Sequence, residues 1–153
     1  MLAKLERFCQ IPPDERRLLI RATAALSLVG LSLRMNGFRR TFEQMERFSN
    51  RTDDALPIDA MAESRKATQA VDRAAYNIPL YRPTCLPQSL VLWYLLRRRG
   101  LPAELRIGVR KAAGDFTAHA WVEHAGQVVN DDPDVAQRFT PVDLPASLTG
   151  ARW

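Results

Sequence analysis

Three prolines, Pro79, Pro83 and Pro87, fall within the eleven residues from Asn77 to Pro87, and they divide this chain more firmly than any other feature. Proline fixes φ, lacks a backbone N–H and pushes the residue before it toward extended backbone. A helix arriving from upstream must therefore stop near Asn77, and the segment after the prolines folds as a new element. That element is a helix. Thr84 is a good N-cap residue, Pro87 is tolerated in a first turn where its missing N–H has no acceptor, and Gly100 is a natural terminator after Arg97, Arg98 and Arg99. The body SLVLWYLL is apolar on nearly every side, which marks a buried helix.

The two sides of this break carry different periodicities. Upstream, Ile11-Pro12-Pro13-Asp14-Glu15 opens a helix that Gly37 should stop. A short second helix is expected over Thr41 to Phe48, with Thr41 and Gln44 spaced as a capping box. After Pro57, a third helix is expected from about Asp59 to Ala75, with Met61, Ala62, Ala67, Ala70, Val71 and Ala74 as its apolar stripe. Downstream, the period becomes two. Leu105, Ile107 and Val109 alternate with Arg106, Gly108 and Arg110, a turn is expected over Lys111 to Phe116, and strands are expected at Thr117 to Glu123 and Gln127 to Asp131. The remainder reads as loop and tail with room for a short edge strand. The expected fold class is α+β: a helical N-terminal portion, residues 1–76, then a catalytic-type helix on an antiparallel sheet, residues 77–153. At 153 residues these form a single domain.

Composition removes several function classes. The net charge of +5 would suit a nucleic-acid or acidic-membrane partner, but the arginines are scattered from Arg7 to Arg152. The dense triplet Arg97 to Arg99 sits where a helix C-terminus favours cations. No nucleic-acid partner is expected. Two cysteines are too few to staple a secreted domain, and neither has metal-ligand spacing with His119 or His124. Reduced thiols in the cytoplasm, with no metal and no cofactor, are the expectation. The apolar run Ala22 to Leu33, about 12 residues, is short of the roughly 20 needed to span a bilayer. It reads as a buried helix, with peripheral membrane contact as the alternative.

Candidate chemistry gathers after the proline break. Cys85 lies in the first turn of its helix, among backbone N–H groups without helical acceptors and at the positive end of the macrodipole, an environment that favours thiolate. Those N–H groups can also bind the oxyanion formed when sulfur attacks a carbonyl. His119 lies in the strand TAHAWVE, sharing a face with Trp121 and Glu123. If His124-Ala125-Gly126 forms a three-residue loop, Glu123 pairs with Gln127 and His119 lies opposite Asp131. The Cβ atoms would then be about 4.5–5.5 Å apart. A one-residue shift would bring Asp132 there instead, although the glycine position favours Asp131. Thiol, imidazole and carboxylate in this order, on a helix followed by antiparallel strands, form the layout of papain-like and transglutaminase-like folds.

The string PTCLPQSLVLWYLLRRRGLPAELRIGV, followed by AHAWVE and VVND, resembles the transglutaminase-like cysteine peptidases of lasso-peptide biosynthesis. The resemblance is close from Arg82 to Asp131 and looser from Asp14 to Ala75. It implies removal of the leader from a ribosomally made precursor, with Cys85 as nucleophile, His119 as base and Asp131 as the acid that orients it. It also implies partners: the precursor peptide, a leader-binding protein and the ATP-dependent macrolactam cyclase. The short stretch before Asp14 leaves no room for a fused leader-recognition module, so the resemblance is to the stand-alone type. ATP is not expected on this chain, which lacks a phosphate-binding glycine loop.

Two other readings stay open at this level. An amine in place of water would make the chain an acyltransferase, and loss of catalysis would leave a scaffold or binding module. Among the remaining residues, Cys9 is expected to be non-catalytic, His124 solvent-facing in the hairpin loop and Glu123 a solvated strand-end charge. Trp121 has either a core role or a shielding role beside His119. Gln88 and Arg82 rank behind the backbone N–H of Cys85 as oxyanion donors. The arginines Arg16, Arg17, Arg21, Arg34, Arg39 and Arg40 form either a solvated face or a docking face for acidic partners.

Overall fold

The computed structural model describes residues 11–49, 59–79, 81–112 and 115–142. Cys9, Pro57 and the tail from residue 143, including Pro145, lie outside them.

Helix α1 spans Pro13–Ser49, with Asp14 and Glu15 complementing the dipole at its start. Gly37 breaks it as expected, with φ 74° and ψ 177°, values that a side chain would strain. The helix resumes immediately, so the anticipated second helix is the outer arm of the same element. Thr41 does not cap it. Its buried hydroxyl donates to Gly37 O at 2.8 Å and meets Ser32 Oγ at 2.8 Å, tying the two arms together across the kink. By length and composition α1 is apolar enough to cross a membrane, and only 22% of its most apolar stretch is buried. The expectation of a buried helix holds for one face only: Leu18, Ala22, Leu26 and Val29 enter the core, whereas Leu28, Leu31 and Met35 are exposed.

Helix α2 runs Ala60–Asn77, with the Asp59 carboxylate capping Ala62 N–H at 2.9 Å. Its buried stripe, Ser64, Ala67, Ala70, Val71 and Ala74, follows the helical period. Helix α3, Cys85–Arg98, starts directly after the proline break. Thr84 occupies its N-cap in extended backbone, but the hydroxyl makes no capping bond. At the other end the Gly100 N–H bonds Arg97 O and the Leu101 N–H bonds Leu96 O, while Gly100 takes φ 74°. This paired closure satisfies carbonyls that the helix end would leave open.

Helix α3 packs against α1, α2 and the sheet, which explains why its body is apolar all round. Leu90, Val91, Leu92, Trp93 and Leu96 are buried, and Trp93 stacks on Phe42 of α1 at 4.9 Å.

The sheet has the order β3-β2-β1-β4, with strands at Ala103–Ala112 (β1), Asp115–His124 (β2), Gln127–Val128 (β3) and Thr140–Pro141 (β4). The β1 and β2 strands extend into the region expected to be a turn, pairing from Ala103↔His124 to Ala112↔Asp115. Strand β3 is shorter than expected and stops at Val128. A one-turn helix α4, Val135–Arg138, precedes β4.

Alternation gives the sheet two unlike faces. Ala103, Leu105 and Val122 join the helical core on the inner face, while Trp121 packs with Val135 and Phe139 on the outer one. Gly108 makes the outer packing possible. A Cβ there would lie 2.8 Å from Phe139 Cβ and 2.9 Å from the Trp121 ring.

Candidate active site

Cys85 is the first residue of α3, a free and half-buried thiol. One turn later, the buried Ser89 hydroxyl donates to Ala120 O at 2.9 Å. The far end of α3 leads through Gly100 into β1, whose first residue pairs with His124. The helix therefore runs beside β2 with its N-terminus toward the earlier part of the strand, and Cys85 lies at the His119 end. Among the described residues no hydrogen bond joins the thiol to the imidazole. Gln88 is held by its amide, which donates to Pro83 O at 2.7 Å. Arg82 is exposed.

His119 and Asp131 are in direct contact through Nε2 and Oδ2. Both side chains are largely shielded, and the imidazole stacks on Phe139 with centroids 5.0 Å apart. Burial by itself would raise the Asp131 carboxyl. The hydrogen bond with His119, the Asp132 N–H at 2.7 Å and the positive charge of Arg138, joined by that of His119 when the ring is protonated, outweigh it and hold the group below the ordinary carboxylate range. An ionised Asp131 can only accept, so Nε2–H donates to it, and in the neutral ring the lone pair is then on Nδ1.

The expected contact forms by an unexpected route. The hairpin has a two-residue turn, Ala125-Gly126, with both residues at positive φ. The pairs are therefore His124↔Gln127 and Glu123↔Val128, not Glu123 with Gln127. Continued in this register, the ladder would put Asp132 opposite His119. The strand instead ends at Val128, and Asp131 reaches the ring from the segment beyond it.

Two further expectations are corrected. His124 belongs to β2, is 5% exposed on the inner face, and meets Pro102 O through Nδ1 at 2.5 Å. Glu123 accepts Trp121 Nε1–H at 2.9 Å and Arg106 Nε–H at 3.1 Å, so it belongs to a polar network. Trp121 itself is fully buried, which assigns it to the core.

Sequence reasoning missed Ser89, Asn130, Phe139 and Arg138. Asn130 donates to Ser89 Oγ at 3.0 Å, and Arg138 approaches Asp131 at 3.5 Å and Asp132 at 3.1 Å. The lone glycine at 108 within an alternating strand was the signal for a close approach. The four missed residues carry no local pattern that separates them from ordinary helix, strand-end and loop residues.

The arrangement can supply a nucleophile, a base with a defined tautomer and backbone donors at a helix N-terminus. The chain matches the transglutaminase-like superfamily, Transglut_core3, over residues 25–143. It is also 34% identical over 67 residues to the Microcin J25-processing protein McjB of Escherichia coli, a match that covers 44% of this chain and 31% of that protein. The chain thus aligns with less than a third of that relative's length. No solved structure matches. With helices preceding an antiparallel sheet and most of its length inside the family match, the chain belongs to the transglutaminase-like superfamily.

Proposed function

We propose that this protein is a cysteine endopeptidase that removes the leader from a lasso-peptide precursor, with Cys85, His119 and Asp131 as its reacting groups. The observation that carries the reading is the His119–Asp131 pair, bonded through Nε2 so that Nδ1 is left for proton transfer, on the strand that Ser89 of α3 contacts one turn after Cys85. Support for a peptide substrate comes from the CLPQ and HAWVE elements and from the relative whose name describes microcin processing.

In this reading His119 Nδ1 takes the Cys85 proton, and sulfur attacks the carbonyl of the last leader residue. The developing oxyanion is met by N–H groups at the helix start, with Cys85 N–H foremost, since the Gln88 side chain is engaged with Pro83. The protonated ring then gives its proton to the departing amine of the core peptide, leaving a thioester. Water, deprotonated by the same ring, cleaves the thioester to the leader carboxylate and free thiol. Asp131 keeps the ring oriented throughout. The partners in this reading are the precursor, a leader-binding protein and the ATP-dependent cyclase that uses the freed amine. Its setting is the cytoplasm, where a catalytic thiol stays reduced.

Mass spectrometry of precursor incubated with the leader-binding protein and either the wild type or Cys85→Ala tests the reading. A leader fragment only with the wild type is expected. An amine adduct in its place would establish acyl transfer, the outcome the superfamily's name makes the natural rival. Intact precursor in both, with the partner bound, would favour a scaffold.

A further inference from the structure

The short β3 strand leaves the edge of β2 to be satisfied by other means. In a continued hairpin, Val122 and Val129 would exchange two backbone bonds. Only one forms, from Val129 N–H to Val122 O at 3.0 Å. The Val129 carbonyl instead accepts the Thr68 hydroxyl at 3.1 Å, and the Asn130 side-chain carbonyl takes its place on Val122 N–H at 2.7 Å. Two residues along the same edge, Ala120 O accepts the hydroxyl of Ser89, which in turn accepts the Asn130 amide at 3.0 Å. Side chains thus replace the ladder at the point where it ends.

The replacement has a steric consequence. An uninterrupted ladder in the observed register would set Asp131 opposite Ala120, whose side chain lies on the inner face with that of Val122, away from the imidazole. Ending the ladder frees the chain to turn, and the Asp131 carboxylate then reaches His119 on the outer face. The members of this hydrogen-bond chain are attached next to all three reacting groups: Asn130 precedes Asp131, Ala120 follows His119, and Ser89 lies one helical turn from Cys85. Ser89 has no exposed surface, so its hydroxyl has no water with which to exchange these bonds.

Resting on the triad reading, we propose that Ser89 and Asn130 are positioning residues that set the relative placement of the Cys85 thiol, the His119 ring and the Asp131 carboxylate. Neither touches the reacting atoms. Their effect passes through the backbone of β2 and the seating of the helix.

Alkylation of Cys85 by iodoacetamide, followed from pH 5 to 9 in the full chain with Cys9→Ser, reads this alignment without a substrate. The triad reading requires faster alkylation near neutrality in the wild type than in His119→Ala. If those two coincide, the triad reading falls and this assignment falls with it. Where they differ, Asn130→Ala and Ser89→Ala are expected to lose about ten-fold in neutral-pH rate, moving toward the His119→Ala profile. The kcat for leader release should fall in parallel, with KM little changed. Thr68→Val removes the other attachment of the same segment and should lower the unfolding temperature while leaving the profile intact. Should Asn130→Ala not fold, Ser89→Ala, which deletes one oxygen inside an otherwise unchanged helix, decides alone. A folded Ser89→Ala with the wild-type alkylation profile would overturn the proposal.

Discussion

The two faces of the sheet are built from the same strands but serve different ends. The inner face puts Ala103, Leu105 and Val122 against three helices, in a core where Leu26, Leu90, Leu92 and Leu96 are almost completely enclosed. The outer face has a much smaller cluster, Trp121, Val135 and Phe139, roofed by a single helical turn, and it carries His119 and Asp131. A large apolar interface tolerates some rearrangement because its stabilisation is spread over many contacts. A site that depends on one imidazole contacting one carboxylate does not. The thin roof leaves about a quarter of the His119 side chain exposed, and polar bonds from Asn130, Arg138 and the Asp132 amide supply the precision that apolar packing does not.

The division is sharpest where one change separates activity from stability. His119→Ala should lower leader release by roughly 10²–10⁴-fold, while thermal unfolding stays close to that of the wild type. Leu96→Ala, on the inner side, should do the reverse, removing about 2–5 kcal/mol of stability and leaving the specific activity of the folded fraction unchanged. If Leu96→Ala abolished activity at temperatures where it is folded, the two faces would not be separable in this way.

Gly108→Ala probes the boundary between them. The added methyl must displace Phe139 Cβ and the Trp121 ring, which should cost about 1–3 kcal/mol. Since Phe139 stacks on His119, kcat should fall more than the stability change accounts for. A measured kcat equal to that of the wild type would mean that the aromatic roof does not position the ring.

Acid titration tests Asp131. Its carboxyl is depressed in the folded protein, so the associated stability is complete above the unfolded value and is lost as pH falls through the lower folded one. Denaturant melts from pH 7 down to pH 2 should show a loss beginning near pH 4. In Asp131→Asn that component should be missing, and an identical acid profile for both proteins would count against the assignment.

The smallest effects concern the two helix starts. Asp59→Ala removes a formed cap and should cost about 1 kcal/mol. Thr84→Ala, at the start of the helix that carries Cys85, removes a hydroxyl that caps nothing and should cost only about a few tenths of that. A larger loss at Thr84 would show that the helix start depends on a contact other than capping.

Much of the fold was legible because local chemistry and tertiary outcome agree. Pro79 and Pro83 end one helix, Asp59 starts another, Gly100 closes a third, and the alternation in AELRIGV becomes a strand. Failures arose where tertiary context chose between locally acceptable options. Thr41 has the spacing of a capping box, but helix packing buries it. His124 has a loop residue's neighbours in Ala125 and Gly126, yet both of those accept positive φ and form a tighter turn, which draws His124 into β2.

The candidate site shows the same limit more finely. By itself the sequence determined which residues have the chemistry, since thiols and imidazoles are so few here that Cys85 and His119 stand out once the helix start and strand are located. It also determined that a helix must restart beside Cys85, because proline geometry acts within a residue or two. Only the tertiary structure decided how Asp131 reaches the imidazole. Strand register is set by a turn, an edge and the side chains that satisfy that edge, and Ser89 and Asn130 are 41 positions apart in the chain. A hydrogen bond over that separation depends on how α3 seats against β2, and no local propensity encodes it.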